Sequence, residues 1–286
     1  MTVVYAETSR DIVSVEGPDA VSYLQGQLSQ DVAALAPGEV AWTFVLAPQG
    51  KVDGWGRVLR VGPETIQIDV DHGAGDAWVA RLRRFLLRTK AEISVRHDVA
   101  ALAIRGSSAT GGLPAGWPGD PGVDLLGAGL VLGDEEPGAA LPADLPADAV
   151  AVDAGTLEAR RIRAGVPRWG AELDTDTIPA TVGQWAIDAS VSFTKGCFTG
   201  QELVARIDSR GGNVPRRLAG LVVEGDAPAV GAEVTVDGAT AGAVTSSARD
   251  GAGSVALLYV ARAIELPAEA MVDGRPARLT TLPIEA

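Results

Sequence analysis

The sequence predicts a mixed α+β protein that ends in a small all-β module, and three observations carry this. Period-two runs and amphipathic helical stretches share the first 105 residues. Periodicity then fades across 111–148, where Gly, Pro and Ala dominate. From about residue 218 the chain becomes a series of short β-like runs between glycine-rich turns.

The elements follow in order. "DIVSVEG" (11–17) alternates like a half-buried strand, and "PDAVSYLQGQLSQDVAAL" (18–35) reads as a helix with Pro18 at its start. "AWTFVLA", "KVDGWGRVLRV" and "ETIQIDV" are strand-like and separated by Pro-Gln-Gly and Gly-Pro turn signals. "GDAWVARLRRFLLRTK" (75–90) is amphipathic, with Trp78, Leu82, Phe85 and Leu86 on one side at helical spacing. "EISVRH" and "VAALAIRG" predict two further strands, and 111–148 predicts loops with short extended pieces. Asp153 is placed to cap a helix through "AGTLEARRIRAG". "LAGLVVEG", "AEVTVDG", "TAGAVTSSA", "GSVALLYV" and "ARLTTL" then predict a small barrel or sandwich. No repeat of solenoid period is present.

Composition narrows the function classes. The 286 residues are 47% hydrophobic, enough for a sizeable core, and no apolar run is long enough to span a bilayer. The N-terminal stretch lacks the basic and apolar regions of a secretory signal, and a single cysteine cannot close an intramolecular disulfide. Both point to a soluble, cytoplasmic protein. A net charge of −13 argues against direct nucleic-acid or anionic-membrane binding. A local exception is "RLRRFLLRTK", with Arg81, Arg83, Arg84, Arg88 and Lys90: a solvated helix face or a landing site for a small polyanion. Two histidines, His72 and His97, and one cysteine are too few and too far apart for a zinc or cluster ligand set.

That cysteine lies in "FTKGCFTGQELVAR" (193–206). Thr199 and Glu202 have the spacing of a capping box, which sets Cys197 just ahead of a helix N-terminus and beside Lys195. A helix N-terminus and a nearby cation both lower a thiol pKa. Gly196 and Gly200 allow backbone conformations or close approaches that a side chain would block. No partner base can be identified in the sequence. The local chemistry leaves two readings open, a reactive thiol and a small buried hydrophobe.

"KGCFTGQE" (195–202) closely resembles the K-G-C-Y-x-G-Q-E signature of the YgfZ-type folate-binding proteins, relatives of the glycine-cleavage T-protein. "VEGPDAVSYLQGQLSQDV" (15–32), "LAPQGKV" (46–52), "RRFLLRTKAEI" (83–93) and "RIRAGVPRWGAEL…TIPAT" (161–181) are similar to further segments of that family. So are "RGGNVPRRLAGL" and "AGAVTSSA…VALLYVAR"; only 111–148 is poorly matched. The resemblance implies two interleaved α+β subdomains around a central folate-sized opening, with a C-terminal antiparallel β-barrel. Residues 1–212 would form the composite folate-binding region and 213–286 the barrel.

It also implies binding of tetrahydrofolate or a derivative. The implied role is accessory, in assembling or repairing iron–sulfur enzymes, including those that modify tRNA, with iron–sulfur client or assembly proteins as partners. Cys197 inherits the functional thiol, Lys195 is a catalytic candidate beside it, and Gln201 is a candidate folate contact. Lys51, Arg84 and Arg88 are candidates for the glutamate tail of the folate, Arg206 for a further folate contact, and Trp42, Trp55 and Trp185 for pterin walls. Arg163 stands where relatives often carry an acid, and guanidinium has no acceptor for the pterin nitrogens; Glu158 is the substitute acceptor. Phe198 replaces the motif's usual Tyr. Asp53 lies near the catalytic aspartate of T-proteins, which suggests the alternative of a folate-dependent aminomethyltransferase or demethylase. A third alternative is a binding module with a decayed folate pocket. A monomer is expected.

Overall fold

The computed structural model describes residues 2–107, 111–127 and 145–285. The predicted opening strand is longer than its alternating core: β1 runs Val4–Glu16 and is the strand on which the first sheet assembles. β4 (Thr65–Asp71) pairs antiparallel on one side of it and β5 (Glu92–Arg105) on the other. The hairpin β2 (Val40–Leu46) and β3 (Val52–Arg60) extends the sheet beyond β4, while β6 (Leu113–Pro114) and β7 (Gly122–Leu126) extend it beyond β5. The order is β2-β3-β4-β1-β5-β7-β6, and β8 (Val150–Ala151) adds a short parallel pairing to β1. Where the sequence predicts two strands over 92–106, a single strand crosses the break: Asp98 takes φ 54° and the register shifts between Arg10 and Ile12.

Both predicted N-terminal helices are shorter than their apolar patterns. α1 covers Ala20–Gln27 and stops because Leu28 turns extended to bridge Val45. The following residues prefer non-helical partners: Ser29 N–H donates to Phe44 O, and Ser29 Oγ donates to Ser190 O. α2 covers Gly75–Arg83. Beyond it the chain turns back towards β5, with Arg88 at φ 60° and Lys90 N–H on Asp19 Oδ2. Phe85 is therefore outside the helix and half exposed, beneath the Arg81 guanidinium, instead of in the apolar stripe.

The two faces of this sheet carry different cores. Val13, Val15, Val58, Ile68 and Val70 pack with Trp78 and Leu82 of α2 and Leu24 of α1. On the other face Phe44, Leu46 and Trp55 pack with α4 (Gln184–Ser190), the 3₁₀ turn Pro179–Val182 and Val204 of α5 (Gln201–Ser209). α3 (Ala154–Ala164) is capped as predicted, with Asp153 accepting from Thr156 N–H at 2.8 Å.

The C-terminal runs close into a six-stranded barrel. Its strands are β9 (Arg216–Glu224), β10 (Glu233–Val236), β11 (Ala239–Asp250), β12 (Gly253–Ala261), β13 (Ala268–Val272) and β14 (Arg275–Thr280), in the order β10-β11-β12-β9-β14-β13. Closure leaves no free edge, and alternate residues such as Leu221, Val223, Leu258 and Leu279 fill the interior.

One carboxylate joins the barrel to the rest. Glu172 is buried and accepts from Arg161 Nη1 (3.1 Å), Arg168 N–H (3.1 Å), Thr245 Oγ1 (2.7 Å) and Ser246 Oγ (2.6 Å). Both histidines, distant in sequence, converge on buried Asp11: His97 Nδ1 lies 3.2 Å and His72 Nδ1 3.6 Å from its carboxylate, and Gly73 and Gly75 N–H donate to it. Asp76 and Asp98 flank the same imidazoles. Among the described residues no group of three or more His, Cys, Asp and Glu could hold a metal ion.

Replacing Glu172 with Leu leaves the Arg161 guanidinium buried with only part of its charge matched. A loss of about 3–5 kcal/mol is expected from urea unfolding. At Asp11 burial favours the neutral acid, but the Gly75, His97 and Asp98 hydrogen bonds outweigh it and hold the carboxyl below its ordinary range. The Asp11 hydrogen bond raises His97 above the ordinary imidazole value, opposed by slight desolvation and helped by Asp76. The His97 contribution is thus complete below a pH of about 6.5 and lost as pH rises through its folded value. His97→Asn should lower the thermal midpoint more at pH 5.5 than at pH 8.5. Equal losses at both would contradict the assignment.

Candidate binding cavity and thiol loop

Charged residues placed directly across strand pairs build a cavity of about 180 Å³ beside α3. Arg57 of β3 faces Asp69 of β4, and Arg10 of β1 faces Asp71 at the end of β4. Arg57 binds Asp69 through Nε (2.8 Å) and Nη2 (2.6 Å), and its Nη1 reaches Asp124 of β7 at 2.8 Å. Asp124 also meets Arg105 of β5 at 2.8 Å. Burial raises the Asp124 pKa, yet the Arg105 and Arg57 charges outweigh burial and hold it well below the carboxylate range. A buried chain of alternating charges results, and each member is fixed by its neighbours.

Aromatic faces complete the walls. Trp42 and Trp55 stack at 4.0 Å between centroids and 12° between planes. Arg57 lies over Trp42 and Arg105 over Trp117 at 4.0 Å. Trp185 of α4 stands edge-on to both stacked indoles, behind them rather than in the cavity lining. From α3, Glu158 reaches the cavity and accepts from Arg161 at 2.9 and 2.8 Å. Burial opposes its charge, but Arg161 and then Arg168 outweigh it, so Glu158 stays an acceptor-only carboxylate. Arg105 Nε is buried with no partner among the described residues.

Cys197 is exposed and lies on the loop between α4 and α5. The expected capping box is absent. α5 begins one residue later, with Gly200 at φ 80° as its N-cap and no side-chain cap. Thr199 instead turns to α1, its N–H donating to Gly26 O at 3.0 Å. Gln201 Oε1 accepts from Phe198 N–H at 3.1 Å, which bridges the two sides of the turn. Lys195 does not simply add a cation beside the thiol. Its Nζ donates to the carbonyls of Gln25 (2.7 Å), Leu28 (2.7 Å) and Gln30 (2.8 Å) and lies 5.1 Å from the Phe198 ring. Burial pushes this ammonium down to about 8, with Asp31 opposing the shift.

The two glycines of the motif differ. A Cβ on Gly200 would sit 2.5 Å from Ala47 O, whereas one on Gly196 would meet nothing within 4 Å. Only Gly200 has the close approach expected of both.

Other predicted residues fall elsewhere. Lys51 pairs with Asp176 at 2.6 Å beside the β2–β3 turn. Arg84 and Arg88 are exposed beyond α2, and Arg206 is exposed on α5; none of the four lines the cavity. Asp53 is the extra residue of a β-bulge, between the pairs Val45–Gly54 and Leu46–Val52, and its carboxylate accepts from Arg81 Nε at 2.7 Å. It too lies outside the cavity lining. Arg163 faces away from Glu158, and its guanidinium pairs with Asp250 of β11. The cavity arginines at positions 10, 57, 105 and 168 were not among the predicted residues. For Arg57 and its partner Asp69 the sequence signal is a charge inside an apolar run, as in "GWGRVLR" and "IQIDVD".

Gly200→Ala should destabilise the chain by about 1–3 kcal/mol, through strain and overlap with Ala47 O. Gly196→Ala should stay within about 0.5 kcal/mol of the parent. Thermal unfolding of the pair reads the difference, and equal losses would contradict this account of the loop.

No family model matches the chain. It is 30% identical over 228 residues to the tRNA-modifying protein YgfZ of Edwardsiella ictaluri, an alignment covering 70% of this chain and 65% of that protein. To the protein of the same name from Cronobacter sakazakii it is 28% identical over 228 residues, covering 71% and 66%. An uncharacterised Haemophilus influenzae protein is 29% identical over 206 residues, covering 72% and 69%. The chain therefore spans about two thirds of the length of these relatives. The crystal structure of the glycine cleavage system aminomethyltransferase T from Bartonella henselae matches with a TM-score of 0.74 at 17% identity, covering 99% of this chain and 86% of that one, a likeness of fold. No described helix is long and apolar enough to cross a membrane. With the α+β sheet, the closed barrel and the signature loop in place, the chain is a homologue of the YgfZ proteins and has the fold of the glycine-cleavage aminomethyltransferase.

Proposed function

We propose that the chain binds tetrahydrofolate or a derivative in the cavity beside α3 and serves the assembly or repair of iron–sulfur enzymes, with Cys197 as its reactive thiol. The observation that carries this is the cavity's donor and acceptor set. Indole faces and guanidinium planes offer stacking surfaces, Glu158 is an acceptor-only carboxylate, and Arg105 Nε is an orphaned buried donor. A pterin ring presents flat faces, N–H donors for Glu158 and an oxygen acceptor for Arg105.

Pockets that enclose a drug-sized ligand run to about 300–1,000 Å³. At about 180 Å³ this one suits the ring, with the glutamate tail outside. Arg168, half exposed and 3.4 Å from Glu158, stands among the lining residues and suits a tail carboxylate better than Lys51, Arg84 or Arg88. Bound folate supplies a one-carbon carrier; the chain's residues bind and orient it.

Cys197 works from a separate place. Trp55 Nε1 donates to Ser190 Oγ at 2.9 Å, and Ser190 closes α4 just ahead of the thiol loop, so cavity and loop share one helix. The aminomethyltransferase alternative needs Asp53 at the folate. Its carboxylate is instead held by Arg81 away from the cavity lining. A role connected with tRNA modification is supported by the names of the relatives, through an iron–sulfur tRNA-modifying enzyme as client.

Titration calorimetry should show tetrahydrofolate binding with a micromolar Kd that Glu158→Gln weakens about tenfold or more. Cys197→Ser should bind folate normally yet fail to restore iron–sulfur enzyme activity in cells lacking the gene. Full restoration by Cys197→Ser would remove the thiol from the function. Absence of folate binding in the parent would remove the cofactor.

A further inference from the structure

α3 separates two cavities. Its Leu157, Glu158 and Arg161 face the one already described, while Thr156, Ala159, Arg160 and Arg163 face a second, larger one of about 650 Å³. The two lining sets share no residue. The second cavity is closed by the end of the β11–β12 hairpin and by the C-terminal segment, where Ile284 N–H donates to Arg163 O at 2.7 Å. Its volume lies within the range of small-molecule sites.

Its charges balance: Arg160, Arg163 and Arg249 stand against Asp120, Asp250 and Glu285. Arg163 is paired with Asp250 of the lining, and Arg249 with Asp226 outside it. The pair of Arg160 and Asp120 is incomplete on both sides. Arg160 Nε meets Asp120 Oδ2 at 3.2 Å and Arg160 Nη2 donates to Thr2 O, but Arg160 Nη1 and Asp120 Oδ1 are buried without partners among the described residues. Asp120 is only 5% exposed, and burial holds its carboxyl above the ordinary range against the pull of Arg160, Arg105 and the Gly106 N–H.

An unmet buried donor and an unmet buried acceptor, each on one member of a single ion pair, both cost stability until something joins them. A simple anion would satisfy Arg160 and repel Asp120, and a simple cation would do the reverse. An α-amino acid places an ammonium donor and a carboxylate acceptor two bonds apart. Val4, Ala159, Ala164 and Ile284 add an apolar wall.

We infer that this cavity is a second binding site, for a small α-amino acid with an apolar side chain, its ammonium on Asp120 and its carboxylate on Arg160. The site is independent of the folate reading, since none of its residues lines the other cavity.

The test is calorimetry on the full chain with L-phenylalanine and L-leucine, beside 3-phenylpropionate and phenethylamine, which each lack one charge. At least one amino acid should bind, with each single-charge analogue about tenfold weaker or worse. Asp120→Asn and Arg160→Gln should each weaken binding about tenfold, while Glu158→Gln leaves it unchanged. Arg163→Gln, at the partly exposed rim, should weaken it less and serves if the buried variants fail to fold. No binding of either amino acid up to about 20 mM overturns the proposal. So does equal binding of the single-charge analogues, or amino-acid affinity unaltered in Asp120→Asn, Arg160→Gln and Arg163→Gln.

Discussion

The meeting of Arg161 and Glu172 is the constraint on which the arrangement depends. Arg161 lies on α3, Glu172 in the segment that follows, and Thr245 and Ser246 on the barrel strand β11. A buried carboxylate is tolerable only when its oxygens are satisfied, and here four donors from three parts of the chain satisfy them. Removing any one of these parts would leave charge or lone pairs stranded in the interior. The barrel is therefore held against the sheet in one orientation, because apolar contact alone would allow others. Arg161 also holds Glu158 in the cavity, so the joint between barrel and sheet and the acceptor of the candidate site share one guanidinium.

The architecture was legible in the sequence where periodicity controls structure. β2, β3, β4 and the barrel strands coincide with the strand-like runs set between turn signals, and Asp153 caps α3 because a helix N-terminus needs an acceptor at that position. Helix ends were not legible. The apolar pattern of 18–35 continues past Gln27, but Ser29 finds better partners in Phe44 and Ser190, which only the folded sheet and α4 supply. Likewise 84–90 keeps helical spacing, while Lys90 must return to Asp19 so that β5 can begin beside β1. The cavity's charges were hidden for a related reason. Arg10, Arg57, Arg105 and Asp124 come from four strands, and only strand register makes them neighbours.

The signature loop was legible as a motif but not as a mechanism. Helix dipole, capping box and adjacent cation together suggested a thiol tuned by its surroundings. In the folded chain several of the motif's other residues position the loop. Lys195 ties it to three carbonyls at the end of α1, Gly200 lets it approach Ala47, and Gln201 closes the turn through Phe198. Cys197 has none of these anchoring duties and stands exposed. A loop so firmly fixed around one exposed thiol suits chemistry with a large partner that could not enter a cavity.

Arg163 ties α3 to the barrel strand β11 through Asp250. Read as a linear motif, it replaces an acid and conflicts with pterin binding, because guanidinium cannot accept a hydrogen bond. On a helix, however, positions 158 and 161 share a face, one turn apart, while 160 and 163 lie on another. The acceptor of the first cavity is accordingly Glu158, and Arg163 belongs to the opposite side with Asp250. The substitution that looked like damage to one site is part of the charge balance of a second. A wall one helix thick, polar on both sides, separates the two cavities, and Arg161 and Arg160, adjacent in sequence, line one each.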